Sequence, residues 1–219
     1  MTTNIRQHAL EKGAAGERLE ADEAYALVED LSPACLHDIG AAALQNRRTR
    51  YGDKATYVFN QHINPSNVCR MSCVFCNYAA LPNAPQAFSL NESEILQSVA
   101  ELAPSEVHIV GGINDQWPFE RNLELVQALR ERFPDLFIKA FTAVEIAAFA
   151  DASALGADDI LGRLAAAGMN AMPGGGAEIF SDRLRNQYWR NKIGPEDWLH
   201  IHRQAHAMRI PTNATMLFG

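Results

Sequence analysis

Three of the four cysteines in this 219-residue chain, Cys69, Cys73 and Cys76, fall within eight consecutive positions. Their spacing is C-x3-C-x2-C, and Phe75 directly precedes the last of them. A [4Fe–4S] cluster normally takes four cysteine thiolates. Three clustered thiolates would leave one iron open, and an open iron can chelate the amino and carboxylate groups of a small ligand. The spacing therefore predicts a redox cluster with one ligand-binding iron.

A structural zinc site is the alternative for the same cysteines. Zinc takes four ligands in closed sites and usually pairs one C-x2-C with a second pair. His62 could supply a fourth ligand, but the sequence has no second pair. The remaining cysteine, Cys35, lies on a predicted helix, where we expect a buried core residue. The cysteine spacing thus favours the cluster over zinc.

The composition excludes several classes of partner. The chain carries 19 Lys and Arg against 26 Asp and Glu, a net charge of −7, whereas nucleic-acid binding needs a basic face. No apolar run approaches the roughly 20 residues of a membrane span, and residues 1–20 contain no apolar signal core. We therefore expect neither nucleic acid nor membrane as a partner, and the cytoplasm as the compartment.

Strands and helices alternate along the chain after residue 54, which predicts an α/β fold with a parallel sheet. We expect a partial (β/α) TIM-like barrel over residues 54–219, truncated at the C-terminal end, and a short helical extension over residues 1–53. Ser32-Pro33 is typical of a helix start. The predicted strands cover 56–60, 106–110, 136–141, 169–172 and 210–217. The predicted helices cover 17–48 in two parts, 89–102, 119–133, 144–164, 177–185 and 195–208.

The cysteine spacing with its aromatic neighbour resembles the motif of the radical S-adenosylmethionine superfamily. Further segments are similar to the aminofutalosine synthase family within it, and this likeness extends from about residue 17 to the end. Related futalosine cyclases and deazaflavin-forming FO synthases usually read His-Ala-Phe-Ser-Pro where this chain reads Lys-Ala-Phe-Thr-Ala. The segments that carry the likeness are 62–69, 111–112, 138–146, 173–179 and 212–217.

The resemblance implies a (β/α) barrel of the radical S-adenosylmethionine type and a specific reaction. The [4Fe–4S] cluster, held by Cys69, Cys73 and Cys76, would cleave S-adenosylmethionine, which is consumed as a co-substrate. The 5′-deoxyadenosyl radical would add to the small-molecule substrate 3-[(1-carboxyvinyl)oxy]benzoate and give 6-amino-6-deoxyfutalosine for menaquinone biosynthesis. An electron donor such as flavodoxin or ferredoxin would be the partner.

Two alternatives to this reaction stay open. The first is a paralogous enzyme of the same chemistry, either a dehypoxanthine futalosine cyclase or an FO-synthase-like protein. The second belongs to another class, an inactive, truncated metal-binding module. Identification of the product separates the enzymes from one another, and elemental analysis separates zinc from iron.

The other candidate site residues are expected near the carboxyl ends of the strands, where (β/α) barrels carry their active sites. Lys139 lies in an apolar strand, where a lysine is costly unless it is paired or functional; it could neutralise a substrate carboxylate or pair with Glu145. We predict these two as the catalytic residues. The predicted cofactor contacts are Phe75, Tyr78, Gly111, Gly112, Thr142 and Asn213.

Three weaker patterns complete the prediction. The glycine run at 173–176 precedes a predicted helix whose free N–H groups could bind an anion. His202 and His206 share a helix face, and we expect them to be structural or to support residues of the site. Arg183 and Arg185 are predicted to lie on the surface.

Overall fold

The chain divides into two compact units, Met1–Tyr57 and Val58–Gly219. The computed structural model describes residues 2–218. Within those residues, no helix combines the length and the apolar composition that a bilayer crossing requires.

The first unit contains helices α1 (Thr2–Ala15), α2 (Ala21–Val28) and α3 (Pro33–Tyr51), and α1 packs against both of the others. A Lys12–Glu23 ion pair of 2.6 Å joins α1 to α2. The hydrogen bond from Lys12 lowers the pKa of the Glu23 carboxyl. The helix start at Ser32-Pro33 is confirmed, but α1 was not predicted, because its apolar residues show little helical periodicity.

Cys35 does not occupy the predicted core position. It is half-buried on α3, and its thiol donates a hydrogen bond to the Asp30 carboxylate at 3.1 Å. The prediction of a buried cysteine is therefore wrong. No buried residue was found on α3, so in the described part of this unit the helix offers Cys35 no apolar pocket.

The second unit alternates strands and helices, and its elements carry the candidate site. The elements are β1 (Asn60–Ile63), α4 (Glu92–Leu102), β2 (Glu106–Ile109), α5 (Phe119–Arg132), β3 (Phe137–Ala140), α6 (Ala143–Ser153), α7 (Ala157–Ala167), α8 (Asp182–Tyr188) and α9 (Pro195–Ala207).

The strands form a parallel sheet in the order β1-β2-β3. Two parallel single-residue bridges continue it, one between Lys139 and Ala171 and one between Met172 and Thr212. These bridges lie inside the predicted fourth and fifth strands, which are otherwise irregular. The α/β fold with a parallel sheet is thus confirmed, and its strand ends lie in the order that a partial barrel requires.

Side chains of the sheet alternate between two faces, as pleated strands require. Val107, Ile109, Ile138 and Ala140 are fully buried and pack into one core with α4, α5, α6, α7 and α9. Each buried Val or Ile contributes about 1.5–3 kcal/mol relative to exposure. The opposite, concave face carries polar side chains, and these are described with the site.

Two predicted boundaries were wrong. The strand expected over 56–60 lies at Asn60–Ile63, where the ladder with β2 begins; Tyr57 is 93% exposed. The helix expected over 144–164 is two helices, α6 and α7. The break falls at Ala154, whose φ of 55° is left-handed, followed by Gly156 as the N-cap of α7.

The helix predicted over 177–185 is also wrong. Glu178 has a left-handed φ of 52°, and the helix α8 begins only at Asp182. The glycine run at 173–176 therefore precedes a loop, and the prediction of an anion site at a helix start there is wrong. Arg185, predicted on the surface, is buried and donates hydrogen bonds to the carbonyl oxygens of Ala177 and Ile193.

Replacing Arg185 should destabilise the second unit. Arg185→Met leaves two carbonyl oxygens without their donor, and we expect a loss of about 2 kcal/mol in the free energy of unfolding. Urea denaturation measures this. Arg183→Met, two residues away and exposed, is the matched control and should change the value by less than about 0.5 kcal/mol. Equal effects of the two substitutions would contradict the structural role of Arg185.

Candidate active site

The segment that carries the cysteines follows β1, and backbone hydrogen bonds join it to the end of β2. The backbone N–H of Gly112 donates to the carbonyl oxygen of Ser66 at 2.8 Å, and that of Arg70 donates to Ile113 at 3.0 Å. The buried Asn67 side chain also accepts from the N–H of Phe88 at 2.8 Å. The segment is therefore held by backbone hydrogen bonds on both sides of its first cysteine.

The other end of the cysteine segment is hydrogen-bonded to the last residue of α8 and to the loop that follows it. Val74 donates its N–H to Tyr188 at 2.9 Å, and the Asn191 side chain donates to the carbonyl of Met71 at 3.4 Å. The Phe75 and Trp189 rings meet edge to face with centroids 5.5 Å apart. This contact could not be predicted from the sequence, because Trp189 is far from Phe75 along the chain and meets it only in the folded protein.

One cavity of about 270 Å³ contains the three thiols and most of the predicted cofactor contacts. We call it the cysteine cavity. Its walls come from the cysteine segment and from the chain just beyond β1, β2 and β3, which is the carboxyl side of the sheet. The lining residues are Asn64, Cys69, Met71, Cys73, Phe75, Cys76, Tyr78, Ala79, Val110, Gly111, Gly112, Ile113, Thr142, Val144, Glu145, Gly175, Gly176, Glu178 and Lys192.

The donor set of the cysteine cavity is that of an iron–sulfur cluster. Three thiols line it, and neither a fourth cysteine nor a histidine is among its lining residues. His62, the possible fourth zinc ligand, is instead stacked on His108 with ring centroids 5.0 Å apart. Within residues 2–218, no three His, Cys, Asp or Glu side chains are grouped so as to hold one metal ion. The residues thus fit a cluster, in which the thiolates bind different irons.

Burial governs the protonation of two groups in this cavity. It raises the pKa of the Cys73 thiol, against the opposing charge of Lys192. Burial also raises the pKa of Tyr78 to about 12, so its hydroxyl stays neutral. Phe75 and Tyr78 expose 40% and 39% of their surface. Both rings therefore offer an open apolar face to a ligand.

Gly112 is needed where β2 ends against the cysteine segment. A Cβ at this residue would lie 2.2 Å from the carbonyl oxygen of Val68 and 3.0 Å from the Cβ of Cys69. Both neighbours belong to a backbone that the hydrogen bonds above hold in place. The close approach therefore admits glycine and no larger residue.

Glu145 joins α6 to the same strand end. Its carboxylate accepts from the N–H of Gly111 at 3.0 Å and from the N–H and hydroxyl of Thr142 at 2.7 and 2.8 Å. Thr142 is the N-cap of α6, and the two residues form a capping box. Burial raises the pKa of Glu145 to about 7 despite these hydrogen bonds. Both residues line the cavity, and Glu145 positions the Gly111 backbone.

Lys139 and Asn213 lie outside the cysteine cavity's lining. The Lys139 ammonium pairs with Glu106 at 3.2 Å, so the alternative of a Lys139–Glu145 pair is wrong: Glu145 instead accepts from Gly111 and Thr142. Asn213 is exposed, and its carbonyl oxygen lies so close to Gly174 that a Cβ there would be 1.8 Å away. The catalytic and cofactor roles of these two residues stay predictions.

Two charged residues of the cavity were not predicted from the sequence. Lys192 pairs with Glu178 at 2.5 Å, with both side chains less than 15% exposed, and its ammonium lies 5.4 Å from the centre of the Phe75 ring. The two residues are 14 positions apart and lie in loops, so no periodic pattern marks them.

His202 and His206 have the structural role that was expected of them. Their ring nitrogens Nδ1 and Nε2 lie 2.9 and 2.8 Å from the same Thr212 hydroxyl. The His202 ring also packs on Trp198, whose indole N–H donates to the carbonyl of Gly175 in the cavity wall. Burial lowers the pKa of His202 to about 4, so this ring is neutral.

A methyl group at Gly112 should prevent cluster loading. Gly112→Ala must displace Val68 or Cys69, and we expect iron after anaerobic reconstitution to fall well below the about four per chain of one [4Fe–4S] cluster. Gly162→Ala is the control, because a Cβ on α7 meets no atom within 4 Å and should stabilise the helix by about 0.5–1 kcal/mol. Full iron content in Gly112→Ala would refute the close-packing argument.

Glu145 should make stability depend on pH. The folded carboxyl keeps its proton up to about pH 7, whereas the unfolded one releases it near its ordinary pKa. Stability from this group is therefore largest at low pH and falls as pH rises towards 7, by about 3 kcal/mol at most. Urea denaturation of wild type and Glu145→Gln isolates the effect.

The control for this measurement is Glu124→Gln, which changes an exposed carboxylate on α5. Its unfolding free energy should follow the wild-type pH profile. If Glu145→Gln also keeps that profile between pH 4.5 and 7, the buried carboxyl does not titrate as the structure requires.

Comparison with known proteins places this site in a family. The aminodeoxyfutalosine synthase of Thermus thermophilus is 36% identical over 212 residues, covering 95% of this chain and 56% of the relative. The 5-amino-6-(D-ribitylamino)uracil–L-tyrosine 4-hydroxyphenyl transferase of Microcystis aeruginosa is 34% identical, covering 96% and 58%. The cyclic dehypoxanthine futalosine synthase of Streptomyces coelicolor is 34% identical, covering 97% and 54%.

The chain thus spans somewhat more than half the length of these curated relatives. Among solved structures, that of methylornithine synthase (PylB) is similar in fold, with a TM-score of 0.74 at 20% identity over 96% of this chain and 59% of the other. The model of the Radical SAM superfamily matches residues 63–219. Members of that superfamily are enzymes that use a [4Fe–4S] cluster and S-adenosylmethionine. With its cysteine cavity inside the matched region, this chain belongs to the radical SAM superfamily.

Proposed function

We propose that this chain is the radical SAM core of an aminofutalosine synthase. It would add the 5′-deoxyadenosyl group of S-adenosylmethionine to the enol-ether double bond of 3-[(1-carboxyvinyl)oxy]benzoate in menaquinone biosynthesis. Methionine would leave, and rearrangement with loss of the enol-ether carboxyl carbon as bicarbonate would give 6-amino-6-deoxyfutalosine. One observation carries the proposal: the three thiols, the two aromatic rings and the glycines beyond β2 line a single cavity on the carboxyl side of a parallel sheet.

Each part of the cavity has a role in this proposal. Cys69, Cys73 and Cys76 would hold the cluster, which when bound supplies the electron that cleaves the C5′–S bond of S-adenosylmethionine. Phe75 and Tyr78 present apolar ring faces on the same wall, which suits the adenine base. The N–H groups of Gly111 and Gly112 already donate to Glu145 and Ser66, and the absence of side chains would let the ligand's amino group approach their carbonyl oxygens.

The apolar wall of the cavity would protect a reactive species from water. Met71, Ile113 and Val144 are buried and form a small cluster against which Cys69 and Cys73 pack. These side chains offer no exchangeable polar hydrogen and exclude solvent from the thiols. Radical chemistry needs this exclusion, because the protein's contribution to such cofactors is position and protection.

Sequence identity alone does not choose the reaction. Relatives with three different activities in their names are 34–36% identical to this chain. Lys139-Ala140-Phe141-Thr142-Ala143 favours the aminofutalosine branch, because the paralogues usually have His-Ala-Phe-Ser-Pro there. Since the chain covers 56% of the Thermus relative, the substrate and the expected flavodoxin or ferredoxin donor are part of the proposal.

Anaerobic turnover with product identification tests the function. Reconstituted protein, with a strong chemical reductant, is incubated with S-adenosylmethionine and 3-[(1-carboxyvinyl)oxy]benzoate, and products are followed by mass spectrometry. We expect methionine and 6-amino-6-deoxyfutalosine in equal amounts. Cys73→Ala should abolish both the cluster and the product, whereas Cys35→Ala, whose thiol lies in the first unit, should retain them.

Other outcomes would overturn the assignment in distinct ways. Free 5′-deoxyadenosine as the sole adenosyl product would favour a paralogue that abstracts hydrogen. Stoichiometric zinc without iron would favour the metal-binding module. Equal loss of cluster in Cys35→Ala and Cys73→Ala would mean that the three thiols of the cysteine cavity are not the ligand set.

A further inference from the structure

Three basic side chains form a row across the concave face of the sheet. His62 of β1, His108 of β2 and Lys139 of β3 occupy the same register position in the two parallel ladders. His108 and Lys139 lie between neighbours that face the core, such as Val107 and Ile109 around His108. We call these three residues the basic row.

The basic row retains hydrogen-bonding capacity. The His62 and His108 rings stack with centroids 5.0 Å apart. In the described part of the chain, the Nε2 atom of His108 is buried and has no hydrogen-bond partner. Lys139 donates to Glu106 at 3.2 Å, which uses one of the three donors of its ammonium. An unpaired buried polar atom costs about 1–3 kcal/mol, so a ligand that pairs with His108 would recover that cost.

The charge of Lys139 is positioned by a second polar row. Asn60 and Glu106 pair two residues before the basic row on β1 and β2, towards the amino ends of these strands. The Asn60 amide donates to the Glu106 carboxylate at 2.7 Å. Glu106 therefore holds Lys139 from the side away from the cysteine cavity. Within residues 2–218, Glu106 is the one side chain that Lys139 is seen to bind.

The basic row lies directly before the floor of the cysteine cavity. Asn64 and Val110, which line that cavity, follow His62 and His108 by two residues, or about 6.6 Å along a strand. The Asn64 side chain donates to the carbonyl oxygen of Val110 at 2.6 Å, which joins the two strand ends. The basic row thus lies two residues along β1 and β2 from the cavity lining, and its own side chains are not among the lining residues.

We propose that the basic row is a carboxylate-binding subsite that fixes the acceptor substrate beneath the cysteine cavity. The ligand class is an aromatic or enol-ether carboxylate, which would accept hydrogen bonds from His108 Nε2 and from the Lys139 ammonium. The inference deepens the proposed function and rests on it for the identity of the acceptor. The hydrogen-bonding capacity itself is a property of the described residues.

Binding measurements on the cluster-loaded protein, with S-adenosylmethionine bound and no reductant, test the subsite without turnover. Calorimetry gives the Kd of 3-[(1-carboxyvinyl)oxy]benzoate and of its dimethyl ester, which keeps the ring and the enol ether but carries no negative charge. We expect His108→Phe, which keeps an aromatic ring for stacking, and Lys139→Met each to raise the Kd of the acid about 10-fold or more. The ester should bind wild type and variants alike.

His200→Phe is the matched control, because His200 is an exposed histidine on α9, and it should leave both Kd values unchanged. Iron content and thermal unfolding verify that each variant is folded. Should His108→Phe fail to fold, Lys139→Met still tests the subsite, because it removes the second donor of the proposed carboxylate contact. Acid and ester Kd values that are unchanged, or shifted equally, in the variants would overturn the subsite.

The two proposals fail in different ways. If the acid is converted to 6-amino-6-deoxyfutalosine but its Kd is the same in wild type and in the variants of the basic row, the subsite is wrong and the proposed function stands. L-tyrosine, which the name of the Microcystis relative contains, serves as the second carboxylate probe. If L-tyrosine binds in a manner that depends on the row and the enol-ether acid does not bind, the subsite stands and the aminofutalosine assignment falls.

Discussion

The close approach of two backbones at the end of β2 is the contact on which the candidate site depends. Gly112 donates its N–H to Ser66 at 2.8 Å, and the carbonyl of Val68 occupies the space in which its Cβ would lie. This contact places Cys69 beside the strand end and orients the segment that follows. A side chain at Gly112 would separate the thiols from the sheet whose carboxyl end forms the rest of the cavity.

Glu145 extends that constraint from the strands to the helices. Its carboxylate caps α6 through Thr142 and also binds the N–H of Gly111, so one buried group ties β2 to the turn after β3. Three donors compensate the burial of this carboxyl only in part, and its pKa rises to about 7 as a result. The structure thus places an incompletely compensated acid in the cavity wall, where its main effect is to hold backbone atoms in position.

Local patterns in the sequence predict the parts of this protein that depend on local chemistry. The cysteine spacing, the Ser32-Pro33 helix start and the alternation of strands with helices all follow from residues near one another in the chain. The partner of Lys139 could not be predicted, because Glu106 lies 33 residues away and meets it only through parallel pairing. The burial of Arg185 and the Glu178–Lys192 pair depend in the same way on how loops return to the cysteine segment. Helical propensity also misled the prediction at Ala154, where a left-handed residue ends a run of helix-forming residues.

The candidate site is built from two kinds of contact that tolerate change differently. Near the thiols, the decisive contacts are made by backbone atoms: Gly112 with Ser66, Arg70 with Ile113 and Val74 with Tyr188. Such contacts constrain residue type only where a Cβ would clash, so the same cavity can persist beneath diverse side chains. On the concave face below, the basic row makes its contacts through side chains, by ring stacking and by the Lys139–Glu106 pair. The arrangement around the thiols is therefore set by backbone geometry, whereas the proposed acceptor subsite depends on side chains such as His108 and Lys139.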